Sequence, residues 1–185
     1  MQKDEIKLAF VDTETTGLNV QEHEIIQIGC VLVMQRTKED KTIEYEVLDE
    51  FELKVKPQHI EKADQTALRI NGYNEADWVF AYTLPEALKI FSEKTKDAIM
   101  VAHNLVYDFA YLDKAFFETK VENKMHYHKL DTISIAYAKS KNKGDMNRFS
   151  LRSLCELFGI ENKNAHTALS DCRATFELYK KLMQL

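Results

Sequence analysis

Phe10-Val11-Asp12-Thr13-Glu14-Thr15-Thr16-Gly17-Leu18 is the stretch that decides how the rest of the chain reads. It closes an apolar run, Leu8-Ala9-Phe10-Val11, with the character of a buried strand. Side chains alternate along a strand, so Asp12 and Glu14 point the same way. Two like charges on one face at the end of a core strand are costly unless something positive binds between them. Hard carboxylate oxygens suit Mg²⁺ or Mn²⁺. The plain alternative is an exposed strand end with two solvated acids, and this stretch alone does not choose between the two.

The chain has 185 residues, the size of one domain with a substantial core, and a single domain over 1–185 is expected. Hydrophobic content of 45% and charged content of 30% are those of an ordinary soluble globule. No apolar run approaches the ~18 residues that mark a transmembrane helix. Met1-Gln2-Lys3-Asp4-Glu5 leads into a strand with no apolar signal region. The expectation is a cytoplasmic protein without membrane contact. Cys30, Cys155 and Cys172 lack metal-type spacing and read as small buried residues in a reducing compartment. A net charge of −5 argues against holding nucleic acid by bulk electrostatics. It leaves room for an enzyme whose bound cations neutralise an acidic site.

Working outward, residues 5–11 read as strand one. Glu24 to Met34, rich in branched residues, is strand two. The short polar link from Arg36 to Lys41 implies an antiparallel hairpin into strand three, Thr42 to about Lys56. Short helical pieces follow around Ala63–Ile70, and Asn71-Gly72 breaks them. Thr83 to Lys96 is a helix with Thr83 at its N-cap and Pro85 in its first turn. Asp97 to Ala102 is strand four, and Asn104 can cap a helix from Leu105 to Phe117. Residues 124–130 make strand five. Asp131 caps a helix from Thr132 to Lys139, Ser150 caps another that stops at Gly159, and the last runs from about Thr167 to Met183. Three meandering strands followed by alternating helix and strand give a mixed sheet with helices over it, an α/β architecture.

Two more constellations carry chemistry. His103-Asn104-Leu105-Val106-Tyr107-Asp108 begins as strand four leaves the core, and Asp108 falls in the first turns of a helix, where the dipole tolerates an anion. An ordinary helix-start acid would look the same. The second is His166-Thr167-Ala168-Leu169-Ser170-Asp171. Asp171 shares a helix stripe with Ala174, Thr175 and Leu178, so an acid sits on what should be the inward face and needs a partner. His166 is five residues earlier, about 140° around a regular helix, and so is placed ahead of the helix rather than on it.

Asp12-x-Glu14-Thr-Thr-Gly, His103-Asn-x-x-Tyr-Asp108 and His166-x-Ala-x-x-Asp171, in this order, resemble the three motifs of the DEDDh 3′→5′ exonucleases. That group includes the epsilon proofreading subunit of DNA polymerase III and ribonuclease T. Ile70-Asn71-Gly72-Tyr73 and Leu154 to Ile160 also look like the family. The tyrosine subclass would place Tyr four residues before Asp171. That position is Thr167, and His166 puts the chain in the histidine subclass. The resemblance implies a ribonuclease-H-like fold with a five-stranded mixed sheet, its first three strands antiparallel. It implies that Asp12, Glu14, Asp108 and Asp171 hold two divalent cations, Mg²⁺ or Mn²⁺, with His166 as general base. It places Thr15, Leu18, Ile70, Asn71 and Tyr107 at the 3′-terminal nucleotide. The expected activity is 3′→5′ hydrolysis of single-stranded ends, DNA favoured over RNA, releasing nucleoside 5′-monophosphates. The expected partners are those 3′ ends and a polymerase or another replication or repair protein. An RNA-trimming exoribonuclease and a catalytically inactive nucleic-acid-binding module are the alternatives.

Other features read more plainly. Lys139, Lys141, Lys143 and Arg148 against Asp145 make the most basic loop, taken as a solvated segment. Asp131 reads as a helix cap rather than a further ligand. His126-Tyr127-His128 alternates like a strand without completing a zinc site. Phe109, Phe116 and Phe117 read as core.

Overall fold

In this computed structural model, which describes residues 5–140, 148–162 and 167–185, the apolar runs of the sequence line up as one five-stranded sheet. The strands are β1 (Glu5–Thr15), β2 (Ile25–Thr37), β3 (Ile43–Lys54), β4 (Ile99–Ala102) and β5 (Lys129–Asp131). Their order is β3-β2-β1-β4-β5. The first three pair antiparallel, while β4 joins β1, and β5 joins β4, in parallel. The helices are α1 (Gln65–Ile70), α2 (Leu84–Lys94), α3 (Leu105–Thr119), α4 (Thr132–Ser140), α5 (Leu151–Phe158) and α6 (Ala168–Met183). The mixed α/β sheet with an antiparallel first half is the one expected.

Alternation along β1 assigns its two faces. Ala9 and Val11 join Phe91 of α2 and Tyr111 and Leu112 of α3 in one core. Leu8 and Phe10 join Cys172, Phe176 and Tyr179 of α6 in another. Leu178 and Leu182, further along α6, close onto Ala136 of α4 and Leu154 of α5. The Phe10 ring sits 4.9 Å from Phe176 and 5.4 Å from Tyr179. Such aromatic pairs add about 0.5–1.5 kcal/mol each beyond the area they bury. Apolar burial therefore decides that α6 lies along β1. Cys30 and Cys172 belong to opposite faces, and all three cysteines are buried free thiols. No described helix is long and apolar enough to cross a membrane.

Several expectations are corrected. Strand one runs on to Thr15, because β2 keeps pairing beyond Val11, opposing Asp12 with Gly29 and Glu14 with Gln27. The two acids are thus part of the ladder rather than past its end. Strand five is short: β4 offers only Met100 to Ala102 for pairing, so it spans Lys129–Asp131. His126, Tyr127 and His128 lie outside it; His126 stacks on Tyr127, and His128 is tilted against the same ring. Asn104 does not cap α3 through its side chain; it takes a left-handed conformation (φ 66°), and Asp131 accepts the Asn104 N–H instead. Phe116 is core and Phe109 is half-buried, but Phe117 is 73% exposed, with the Lys120 ammonium over its ring. Most of the basic loop, 141–147, lies outside the described residues.

Other local expectations hold. Ser150 accepts the Ser153 N–H at the start of α5, and Gly159 ends that helix in the left-handed region. Asp131 accepts from the Ile133 and Ser134 amides and from the Ser134 hydroxyl, capping α4. The Glu86 carboxylate takes the Thr83 N–H at 2.9 Å at the start of α2.

Candidate active site

Where β1 passes Val11 the sheet opens on one side. Parallel pairing with β4 ends at Phe10 opposite Val101, while pairing with β2 continues to the end of the strand. Asp12 and Glu14 continue the face of Leu8 and Phe10, under the first turn of α6. There Asp171 meets them: single carboxylate oxygens of Asp12, Glu14 and Asp171 all lie within 4.8 Å of one another. The stripe expected of α6 is present, with Ala174, Thr175 and Leu178 buried and Asp171 half-buried at its near end.

Asp108 approaches from the other side of β1. It is buried in α3, and its Oδ1 accepts both the Thr13 backbone N–H and the Thr13 hydroxyl at 2.8 Å. The carboxylate therefore fills the place beside β1 that β4 has left. A buried donor without an acceptor costs about 1–3 kcal/mol, so this bond fixes Asp108 firmly.

Charge in this cluster is poorly tolerated. Burial, then Asp108, Glu14 and Asp171, push the Asp12 carboxyl well above the usual range. Burial, with Asp171 and Asp108 next, pushes Glu14 up to about 7. Asp108 also reaches about 7, through burial that outweighs the two Thr13 hydrogen bonds. Asp12, Glu14 and Asp171 converge, and Asp108 lies outside that trio but near enough to raise Asp12 and Glu14; this all-oxygen set, three of its four members raised by desolvation and mutual repulsion, fits divalent cations. Among the described residues no lysine or arginine pairs with Asp12, Glu14 or Asp108.

The five residues expected at the terminal nucleotide gather around one turn but divide by chemistry. The Thr15 hydroxyl lies 2.8 Å from the Gly17 carbonyl oxygen and 2.6 Å from the Tyr107 hydroxyl. Tyr107 and Tyr111 donate to the same Gly17 carbonyl, at 3.0 and 2.6 Å. The buried Asn71 amide donates to the Thr15 carbonyl at 3.0 Å. These polar groups brace the turn. Leu18 and Ile70 are 80% and 53% exposed, so neither is core, and both are open to a ligand.

His166 lies outside the described residues. The other motif histidine, His103, is held at both ring nitrogens, 2.8 Å from the Thr132 hydroxyl and 2.8 Å from the Phe149 carbonyl. Burial lowers its pKa, and with both ring nitrogens occupied it stands as a neutral strut.

Sequence reasoning did not single out four residues that shape this site. A Cβ on Gly29 would come within 2.4–2.6 Å of the Ala168–Leu169 backbone, so glycine lets α6 touch β2 directly. Thr13 holds Asp108. Asn162 donates to Asp171 Oδ1 at 2.6 Å and accepts from the Ser170 hydroxyl at 2.8 Å. Gln27 accepts the Ala168 N–H at 3.1 Å. The one signal available was Gly29 inside a branched strand; the other three act through contacts the sequence does not display.

Comparison with known proteins agrees with this arrangement. The sequence model of the family described as Exonuclease, of the ribonuclease T group, matches residues 9–179. The chain is 29% identical over 175 residues to the PolC-type DNA polymerase III of Caldanaerobacter subterraneus subsp. tengcongensis, covering 94% of this chain and 11% of that protein. It is 28% identical over 182 residues to the PolC-type DNA polymerase III of Staphylococcus aureus, covering 98% and 12%. The chain thus spans only 11% and 12% of the length of these two relatives. Among solved structures it is similar to E. coli exonuclease I in complex with a dT13 oligonucleotide, with a TM-score of 0.74 and 17% identity over 96% of this chain and 40% of that one. The dA16 complex gives 0.76 and 19%, over 97% and 41%. At these identities the two structures establish likeness of fold.

Proposed function

The chain belongs to the exonuclease family, of the DEDD 3′→5′ type, and from that membership we propose that it hydrolyses phosphodiester bonds at the 3′ end of single-stranded nucleic acid. One observation carries the reading: the Asp12, Glu14 and Asp171 oxygens converge within 4.8 Å at the end of β1. Asp12, Glu14, Asp108 and Asp171 would hold two divalent cations, Mg²⁺ or Mn²⁺. When bound, such a pair supplies Lewis acidity at the attacking water and at the leaving 3′ oxygen.

The chain's own residues supply the rest. His166, five positions before Asp171, takes the proton of the attacking water. A histidine side chain in water titrates at about 6.5, so an imidazole can accept a proton at neutral to mildly alkaline pH. Leu18 and Ile70 offer apolar surface to the terminal base, and such contact tolerates any base. Thr15, Asn71 and Tyr107 hold the turn that presents Leu18. The products are nucleoside 5′-monophosphates.

DNA is the favoured substrate. The relatives are named as DNA polymerases, and the solved neighbours hold DNA oligonucleotides. Residues 1–185 would act as one exonuclease domain in replication or repair, alongside a polymerase or another protein of those processes. A cytoplasmic setting is proposed with it, supported by the three buried free thiols. Digestion of 3′-labelled and 5′-labelled single-stranded DNA and RNA, with and without Mg²⁺, tests the reading. We expect Mg²⁺-dependent release of labelled mononucleotide from the 3′ label and a descending ladder from the 5′ label, faster on DNA. Faster turnover on RNA would reassign the substrate, and no metal-stimulated cleavage of either would refute the enzyme.

A further inference from the structure

We propose that Gln27 is a positioning residue of this site: it caps α6 from the sheet and so holds Asp171 at ligand distance from Asp12 and Glu14. The inference rests on the metal-site reading above. The first amides of a helix have no partner within the helix and must find one elsewhere. At the start of α6 the Ala168 N–H goes to Gln27 Oε1 at 3.1 Å, and the Leu169 N–H faces the Glu52 carboxylate at 3.4 Å. Both acceptors come from the sheet, from β2 and β3.

Position makes Gln27 the important one. It stands directly opposite Glu14 in the β1–β2 ladder and so shares its face. It is 4% exposed, and Ala168 is fully buried, so water cannot stand in for the lost acceptor. Two residues along the same face is Gly29, opposite Asp12, where the α6 backbone makes its close approach. Gly29 permits the approach, and Gln27 fixes where along the strand it occurs. Asp171 lies three residues past Ala168, on the turn so pinned. Asn162 ties this turn to the preceding loop, and Gln27 ties it to the strand that pairs with the strand of the other two ligands.

The test is Mn²⁺ titration by calorimetry into the full chain, unsubstituted and with Gln27→Met or Gln27→Glu. Methionine keeps length and removes the acceptor; glutamate keeps it. Loss of a group that orients a ligand typically weakens metal binding roughly 10–100-fold. We expect a loss in that range for Gln27→Met, and for Gln27→Glu, which keeps the acceptor and adds a carboxylate opposite Glu14, an affinity no weaker than that of the unsubstituted chain. In cleavage assays Gln27→Met should lower kcat at limiting Mn²⁺, recover at high Mn²⁺, and leave KM for the oligonucleotide unchanged. Should Gln27→Met fail to fold, Gln27→Asn, too short to reach Ala168, takes its place with the same expected loss. Unchanged Mn²⁺ affinity alongside a lowered Tm would reduce Gln27 to a structural role and overturn the proposal. An equal loss in Gln27→Glu would overturn it as well. Failure of the unsubstituted chain to bind Mn²⁺ would overturn the metal-site reading itself, and this inference with it.

Discussion

The two ends of β1 carry the same kind of side chain and treat it differently. At the start of the strand Glu5 meets Arg36 at 2.8 Å, and Arg36 also reaches Glu46 at 2.5 Å. Along β3 three more acids are matched: Glu44 with Lys38, Asp49 with Lys94 and Glu50 with Arg173. At the far end, Asp12 and Glu14 face Asp171 and Asp108, and the carboxyls of Asp12, Glu14 and Asp108 are held above their usual range. At the start of β1 and along much of β3 the fold sets a cation beside the acid. At the far end it leaves Asp12, Glu14 and Asp171 clustered with one another.

The comparison breaks most visibly at Asp12. Asp12→Ala should reduce cleavage of a single-stranded oligonucleotide to background while the chain stays folded by circular dichroism; retained Mg²⁺-dependent cleavage would sink the assignment. His166→Ala should lose roughly 10²–10⁴ in rate, the range of a general base, with Mn²⁺ affinity kept. Near-normal turnover would take the histidine out of the mechanism.

A smaller effect separates the two ends by pH. Glu14 and Asp108 titrate near 7 in the metal-free fold, above the ~3.9–4.3 of an unfolded chain. The folded state therefore binds more protons between those values, and stability is lost as pH rises through 7. With a chelator present, these groups should make Tm higher at pH 5.5 than at pH 8, and saturating Mn²⁺ should raise Tm most at pH 8. A metal-free Tm that rises over this interval in the unsubstituted chain and equally in Glu14→Gln would contradict the strained cluster. Least of all should come from the matched end. Arg36→Ala removes partly exposed ion pairs, each worth about 0.2–1 kcal/mol, and should leave the cleavage rate unchanged.

Much of this was legible because it is local. Alternation put Asp12 and Glu14 on one face, and the stripe from Asp171 to Leu178 turned that acid inward. Both expectations follow from periods of two and 3.6 residues, which the sequence displays directly. The paired acids look like a strand terminus; what extends the strand is antiparallel pairing with β2, which opposes Asp12 with Gly29 and Glu14 with Gln27. Strand five was overdrawn because alternation in His126-Tyr127-His128 says nothing of the length of β4 available to pair with it. Asn104 reads as a side-chain cap because Asn commonly is one, but it takes a left-handed conformation, and Asp131 accepts the backbone N–H groups of Asn104 and Leu105. The groups that set the cluster, Thr13 on Asp108, Gln27 on Ala168 and Gly29 beneath α6, act across long sequence separations. No local period announces such contacts.

The central claim is that the end of β1 where Asp12 and Glu14 meet Asp171 is a divalent-cation site. Titration of Mn²⁺ into the metal-free full chain at pH 8, followed by calorimetry beside Asp12→Ala, tests it most directly. The account predicts saturable binding that approaches two ions per chain and is lost in Asp12→Ala. Absence of binding, or the same isotherm from Asp12→Ala, would contradict it.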